Sequence, residues 1–264
     1  YVNVSTRNII LLSTLHQNFS SYSYKLTDAQ RNEWTKVKGR FKEIVFVEPI
    51  EQLLQLTADR IENRVATPTE KASKNLSDLF DLAHKYNVVS PELDMGSASK
   101  LYPLDPISSV CLTISVQRYG QNERTLFSFL EATDRYSLSA FKPSDNRTYN
   151  LAEVFDYITY NFYTYLSEAN ADSMDWRAIR IAIDRVSSGI IEDRMSVEAC
   201  LAIIKTISLL SLFCKSITID KGLLIPYAEK ALGIENAEQY IDKLVSLKVI
   251  RFAAYKSQYI LFEG

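Results

Sequence analysis

The fold of the C-terminal region is decided by residues 221–262, which read KGLLIPYAEKALGIENAEQYIDKLVSLKVIRFAAYKSQYILF. Residues 221–232 predict a helix that ends at Gly233, because glycine is the residue type that most often closes a helix. Residues 236–247 predict a second helix. Two short runs of β-branched and aromatic residues flank Lys256 and predict the strands of a hairpin. These strands cover residues 249–252 and 258–262.

Two further elements precede this stretch. Residues 197–213 predict an apolar helix capped by Ser196, and residues 217–219 predict a short extended segment. Helices followed by a hairpin in this order are typical of a winged helix-turn-helix. We therefore predict a winged-helix domain over residues 196–264.

The region after Pro68 is predicted to be helical throughout. The predicted helices cover residues 76–86, 106–119, 121–131, 151–168 and 176–186. A mostly polar connection with several turn formers separates the third of these helices from the fourth. We therefore expect two helical segments, residues 67–150 and residues 151–195.

The first 66 residues predict the C-terminal part of an α/β domain. Two apolar runs predict strands buried on both faces, and two helices alternate with them. The strands cover residues 9–12 and 44–47, and the helices cover residues 27–38 and 51–63. Thr27 followed by Gln30 is the capping-box pattern that begins a helix.

Composition excludes several kinds of site. The net charge of −2 gives no global attraction to nucleic acid or anionic lipid. The three cysteines lie in apolar runs and are expected to be buried thiols, and the two histidines are far apart, so we expect no metal site. The seven glycines stand at positions 39, 96, 120, 189, 222, 233 and 264. That spacing builds neither GxGxxG nor GxxxxGK[ST], so no glycine-rich phosphate loop is predicted.

The apolar runs do not predict membrane insertion. The longest run, residues 203–213, contains Lys205 and is too short to span a bilayer. No signal peptide opens the sequence, which begins at Tyr1 with a predicted strand close behind. We therefore expect a cytoplasmic protein that makes no membrane contact, and a chain cut from a longer polypeptide.

Three stretches together resemble a group of large bacterial P-loop ATPases of the AAA+/STAND type, which are often met in phage defence. They are LLSTLHQNF (residues 11–19) continuing through Glu33-Trp34 to GRFKEI (39–44), LYPLDP (101–106) with GQNERTLFSFL (120–130), and YILFEG (259–264). The run QNERTLFSFL is the most specific. The relatives commonly have histidine where this chain has Asp105.

The resemblance implies a mainly α fold with a small α/β portion. Residues 1–66 would be part of an AAA-like core, residues 67–150 a helical lid bundle, residues 151–195 a helical connection, and residues 196–264 the C-terminal winged helix. It also implies that the intact protein binds ATP and Mg²⁺ through segments that this chain lacks. The chain alone would bind neither.

Three residues of the first segment match sensor and finger positions of such ATPases. Thr14 and His16 follow the first predicted strand, where polar side chains can orient the attacking water. Arg40 stands before the second strand, where an arginine can reach the γ-phosphate held by a neighbouring subunit. The alternatives are that Thr14 and His16 cap the strand end, and that Arg40 forms an ion pair with Glu33 or Glu43.

A second arginine position lies in the predicted lid. Arg124, with Arg118 behind it, is the candidate for a lid sensor that folds over the phosphates. The alternative is structural, with Asn122 as the N-cap of a helix, Glu123 in its first turn, and a buried Glu–Arg pair holding two lid helices together.

The predicted winged helix carries few cations for nucleic acid. Its second helix offers Glu238 and Asp242 against Lys243, whereas reading a phosphate-lined groove requires several lysines or arginines. The candidate phosphate contacts near the hairpin are Lys248, Arg251 and Lys256. Docking onto a protein is the alternative that we favour.

The leading hypothesis is therefore a lid and winged helix that couple ATP state to the engagement of a partner or of nucleic acid. Its expected partners are the N-terminal ATPase segment, an effector protein or domain, and further copies of the chain. The alternative is a module without enzymatic activity that binds protein or DNA.

Overall fold

The structure is a computed structural model that describes residues 12–14, 26–42, 44, 49–61, 67–120, 123–145, 147–167 and 171–262. The described part is mainly helical, with one two-stranded antiparallel sheet. The chain forms two compact units, residues 1–47 and residues 48–264. The mainly helical class is therefore confirmed.

The first unit contains helix α1, Asp28–Lys38. The Gln30 amide donates to Thr27 Oγ1, and the Thr27 amide donates to Gln30 Oε1, so the predicted capping box is present. The predicted strands 9–12 and 44–47 lie almost entirely outside the described residues. The partial AAA-like core therefore stays a prediction.

The second unit contains eleven α-helices among its described residues. They are α2 Ile50–Ile61, α3 Glu70–Lys85, α4 Met95–Lys100, α5 Pro106–Tyr119, α6 Glu123–Glu131, α7 Leu151–Asn161, α8 Tyr163–Ser167, α9 Ser173–Arg185, α10 Arg194–Phe213, α11 Lys221–Tyr227 and α12 Ala237–Ser246. Strands β1, Ile250–Ala253, and β2, Gln258–Leu261, follow. A π-helical turn extends α9 over Val186–Ile190 and another extends α11 over Ala228–Leu232.

Helix α5 lies at the centre of the second unit. It contacts α2, α3, α6, α7 and α10, and most of its side chains are buried. Its sequence ISSVCLTISV places small or apolar side chains on every side, which is typical of a helix surrounded by protein. Because α2 packs on α4, α5 and α6, it belongs to this body.

Helix α10 is the second central element. Within the described ranges it alone is long and apolar enough to cross a membrane, but 56% of its most apolar window is buried inside the fold. It packs against α7, α9, α12 and β2. Such burial is typical of the core helix of a soluble protein.

The C-terminal elements follow the predicted order. Gly233 has the left-handed backbone of a helix C-cap, with φ of 70°. Strands β1 and β2 pair antiparallel with Phe252 opposite Tyr259. The Tyr259 amide also donates to the carbonyl of Ile219 at 2.7 Å, which attaches the extended segment before α11 to the outer edge of β2.

Several details differ from the sequence prediction, including the start of α3 at Glu70 instead of residue 76. Helix α10 begins at Arg194 and is capped by Asp193, whose carboxylate accepts from the Ser196 amide at 2.8 Å, so Ser196 is not the N-cap. The helix predicted over residues 151–168 is divided at Phe162 into α7 and α8. The aspartate is the stronger acceptor for the free amides of a first turn.

A close approach between α3 and α11 gives a test of this packing. The Tyr86 hydroxyl donates to Asp220 at 2.7 Å, and a Cβ atom added at Gly222 would lie 2.5 Å from that hydroxyl oxygen. We expect Gly222→Ala to lower the free energy of unfolding by about 1 kcal/mol, the value of one hydrogen bond. Urea unfolding monitored by circular dichroism measures this change.

Tyr86→Phe provides the control, because it removes the hydroxyl that the new methyl group would meet. In that background Gly222→Ala should cost nothing further. Equal costs of Gly222→Ala in the two backgrounds would contradict the described contact.

Candidate functional site

A buried carboxylate stands at the start of the central helix. Asp105 has no exposed surface and is the N-cap of α5, where Pro106 occupies the first turn. One carboxylate oxygen, Oδ1, accepts from the Ser108 amide at 2.9 Å. The sequence folds this way locally because aspartate before proline, with a small polar residue at the third helical position, satisfies the free amides of a helix start.

The other carboxylate oxygen joins three parts of the fold. Asp105 Oδ2 accepts from Ser108 Oγ at 2.8 Å, from the Tyr227 hydroxyl at 3.0 Å and from Thr148 Oγ1 at 3.1 Å. Ser108 belongs to α5, Thr148 to the segment before α7, and Tyr227 to the end of α11. We call these four residues the Asp105 node.

The node extends to the first turn of α7. The Leu151 amide donates to the Tyr227 hydroxyl at 2.9 Å. The side-chain oxygen of Asn150 caps α7, and its side-chain N–H group donates to the Ala231 carbonyl at 3.1 Å. The starts of α5 and α7 therefore both meet the C-terminal part of α11.

Burial dominates the electrostatics of the node. Desolvation raises the pKa of Asp105 above the usual carboxyl range, although hydrogen bonds from Ser108, Tyr227 and Thr148 act in the opposite direction. Desolvation, with the nearby Asp105 charge, also raises the pKa of Tyr227. Because Asp105 has no exposed surface and its carboxylate is bonded to residues of three parts of the fold, we interpret the node as structural.

Arg118 lies at the surface of the helical body, where its guanidinium is paired. Its guanidinium donates to both carboxylate oxygens of Asp172, at 3.1 and 3.2 Å, and stacks over the Phe213 ring. The Tyr119 hydroxyl donates to the same carboxylate at 2.7 Å. This arginine–carboxylate pair holds α5 near the start of α9.

Arg124 has a different environment. It is exposed on α6, where it lines an open groove together with Phe127, Ser128 and Glu131. Arg60 of α2 contacts two of these residues, because it pairs with Glu131 at 3.0 Å and lies over the Phe127 ring. Gln121 and Asn122 lie outside the described residues.

The first unit contains the remaining predicted nucleotide residues. Thr14 and Arg40 are exposed, and His16 lies outside the described residues. Arg40 follows α1, and its backbone amide donates to the Val37 carbonyl. Glu33 forms its ion pair with Lys36 at 2.6 Å instead of with Arg40.

The hairpin carries the three predicted phosphate contacts. Lys248, Arg251 and Lys256 are all exposed, and the described residues place no carboxylate in an ion pair with any of them. Glu238 and Asp242 of α12 both pair with Lys221, each at 2.8 Å. Those carboxylates raise the pKa of Lys221. The described residues contain no cluster of histidine, cysteine and acidic side chains that could hold a metal ion.

Sequence reasoning missed the Asp105 node. In the sequence, Asp105 is distinguished only by standing where the ATPases that the chain resembles commonly have histidine, although Asp-Pro followed by Ser108 is a recognisable helix start. Tyr227 stands 122 positions further along the chain. No local pattern links two residues at that separation.

Removing the carboxylate should destabilise the protein strongly. Asp105→Ala loses the helix cap and leaves the hydroxyls of Ser108, Thr148 and Tyr227 without their acceptor. We expect a loss of about 2–4 kcal/mol in the free energy of unfolding. Asp105→Asn keeps the cap and is expected to lose about half as much, because the hydroxyls can turn to accept from its amide. Urea unfolding measures both, and equal stability of wild type and Asp105→Ala would contradict the node.

The raised pKa of Asp105 also sets a pH dependence. The folded protein holds this proton more tightly than the unfolded chain, whose carboxyl pKa is about 3.9. The stabilisation is complete below that pH and is lost as pH rises through the folded pKa. Wild type should therefore lose stability relative to Asp105→Asn as pH rises from about 4. Unfolding of both proteins over a pH series tests this, and the opposite trend would show a lowered pKa.

Comparisons with known proteins give no relative for this chain. No protein-family model, curated protein or solved structure matches the chain.

Proposed function

We propose that this chain is the lid and winged-helix part of a nucleotide-dependent ATPase of the AAA+/STAND type, of the kind met in phage defence. Its role is to couple the state of bound ATP to the engagement of a partner. The single observation that supports it best is the C-terminal arrangement. Helices α10, α11 and α12 precede a hairpin. The Ile219 carbonyl accepts a hydrogen bond from the outer edge of this hairpin, which is the position of the first strand in a winged helix.

The Asp105 node supports a coupling role. It ties α5, in the proposed lid, to α7 and to α11, a helix of the proposed winged helix. Elements joined through a buried and fully satisfied polar network shift together more readily than separately. A displacement of the lid would thus be transmitted to the hairpin.

The nucleotide contacts are proposed to come from exposed arginines. Arg124 fits a lid sensor, because its side chain borders open space on α6. Arg118 fits a supporting position, because Asp172 already neutralises it. Arg40, Thr14 and His16 are proposed to approach the phosphates from the first unit. ATP and Mg²⁺ would supply the reacting phosphoryl group and its charge neutralisation from a segment that this chain lacks.

A second candidate function is DNA binding through the hairpin. The exposure of Lys248, Arg251 and Lys256 favours it. The helix that would enter the groove, α12, argues against DNA binding. It presents the carboxylates of Glu238 and Asp242, which both pair with Lys221. Gel shifts at low salt test this candidate, with loss of the shifted band on Arg251→Ala and Lys256→Ala as the supporting result.

The setting of this function is also a proposal. We place the protein in the cytoplasm, where its partners would be the ATPase segment, an effector protein and other copies of the chain. The mainly buried course of α10 is consistent with a soluble protein.

Phosphate release from ATP tests the proposed function. Residues 1–264 alone should release none above the blank, because their glycines build no phosphate loop. In the ATPase formed when this chain is joined to a phosphate-loop segment, Arg40→Ala should lower turnover by about 1,000-fold, the low end for an arginine finger. Arg124→Ala should lower turnover as well, whereas the exposed Lys142→Ala should not. Turnover by residues 1–264 alone, or full turnover in both arginine variants, would contradict the proposal.

A further inference from the structure

The hairpin has one open edge. In antiparallel pairs, residues that exchange hydrogen bonds alternate with residues whose amide and carbonyl point away from the partner strand. The Phe262 amide donates to the Val249 carbonyl at 2.9 Å, so Val249 and Phe262 form a hydrogen-bonded pair. In the observed register the next such pair is Arg251 and Ile260. Phe252 therefore points its backbone groups outward from β1.

The two edges of the hairpin differ. On β2 the outward amide of Tyr259 donates a hydrogen bond to the Ile219 carbonyl. On β1 the outward amide and carbonyl of Phe252 meet no partner among the described residues, and this residue is 50% exposed. An exposed edge with free backbone groups is a template for another strand.

The positive charge around this edge favours an acidic partner. Residues 243–262 contain four cations and no carboxylate, although the whole chain has a net charge of −2. Arg251 lies on the edge strand itself, Lys248 lies just before it, and Lys256 lies at the tip beside the exposed ring of Tyr255. A second copy of this strand would bring the same cations and be repelled.

Side chains of an added strand would find two different faces. Alternate residues of a strand point to opposite sides, so Arg251 lies on one face of the hairpin and Phe252, whose ring packs on Tyr259 at 5.2 Å, lies on the other. A peptide that alternates carboxylate and apolar side chains matches both faces.

We propose that the β1 edge binds an extended acidic peptide segment of a partner protein, which adds as a third strand beside Phe252. This deepens the proposed function, since it identifies the surface and the class of partner, and it rests on the proposal that the hairpin engages a partner. Peptide binding at this edge requires no nucleotide. A failure to bind peptide would therefore overturn the docking surface but not the proposed nucleotide role, which is tested separately by the turnover of the Arg40 and Arg124 variants.

The probe is a fluorescein-labelled hexapeptide of alternating glutamate and valine, and its binding is followed by fluorescence anisotropy. Wild-type protein should bind it with an affinity that falls as salt rises. Arg251→Ala and Lys256→Ala should each weaken binding about threefold, as for exposed charge pairs. Lys142→Ala, which removes an exposed cation from another part of the chain, should have no effect.

Backbone pairing is tested separately from charge. Phe252→Pro removes the outward amide and should weaken binding at least about tenfold relative to Phe252→Ala, which loses only the ring. A peptide of the same sequence with N-methyl groups on alternate residues tests the same bond without altering the protein. That peptide should bind at least about tenfold more weakly than its unmodified form.

Three results would overturn this docking surface. They are no binding of the hexapeptide, equal binding of the N-methylated and unmodified peptides, and tighter binding of a single-stranded dodecamer of deoxythymidine than of the hexapeptide. The last result would assign the hairpin to nucleic acid.

Discussion

The fold of the helical body depends on one buried carboxylate with four hydrogen-bond donors. Asp105 begins the central helix α5, and its side chain also receives the hydroxyls of Thr148 and Tyr227, from two other parts of the chain. A buried polar group costs free energy unless its partners are in place, so these donors cannot shift independently. The node therefore fixes how the starts of α5 and α7 meet the end of α11.

This constraint links the interior to the surface proposed to act. Helix α11 leads through Gly233 into α12 and the hairpin, and α10 packs against both α12 and β2. The body offers no metal cluster among its described residues, and its buried aspartate is enclosed. The exposed cations and the open strand edge of the hairpin are thus the features best placed to contact another molecule.

Much of the local structure could be predicted from the sequence, because it depends on neighbouring residues. The capping box of Thr27 and Gln30, the C-cap at Gly233 and the bounds of α5 are signals contained within a few positions. The Asp105 node depends on Tyr227, which only the completed fold brings near. The same limit applies to Arg118, whose partner Asp172 is 54 residues away. A charged residue in a sequence does not reveal whether a distant carboxylate has neutralised it.

Native-state hydrogen exchange of the Tyr227→Phe variant tests the central claim most directly. This change deletes the hydroxyl that donates to Asp105 and accepts from the Leu151 amide, and it leaves the ring in place. We predict that amides in the first turns of α5 and α7 lose protection together, although both lie far from residue 227 in sequence. Loss of protection confined to α11 would contradict it, because the three elements would then be held by apolar packing alone.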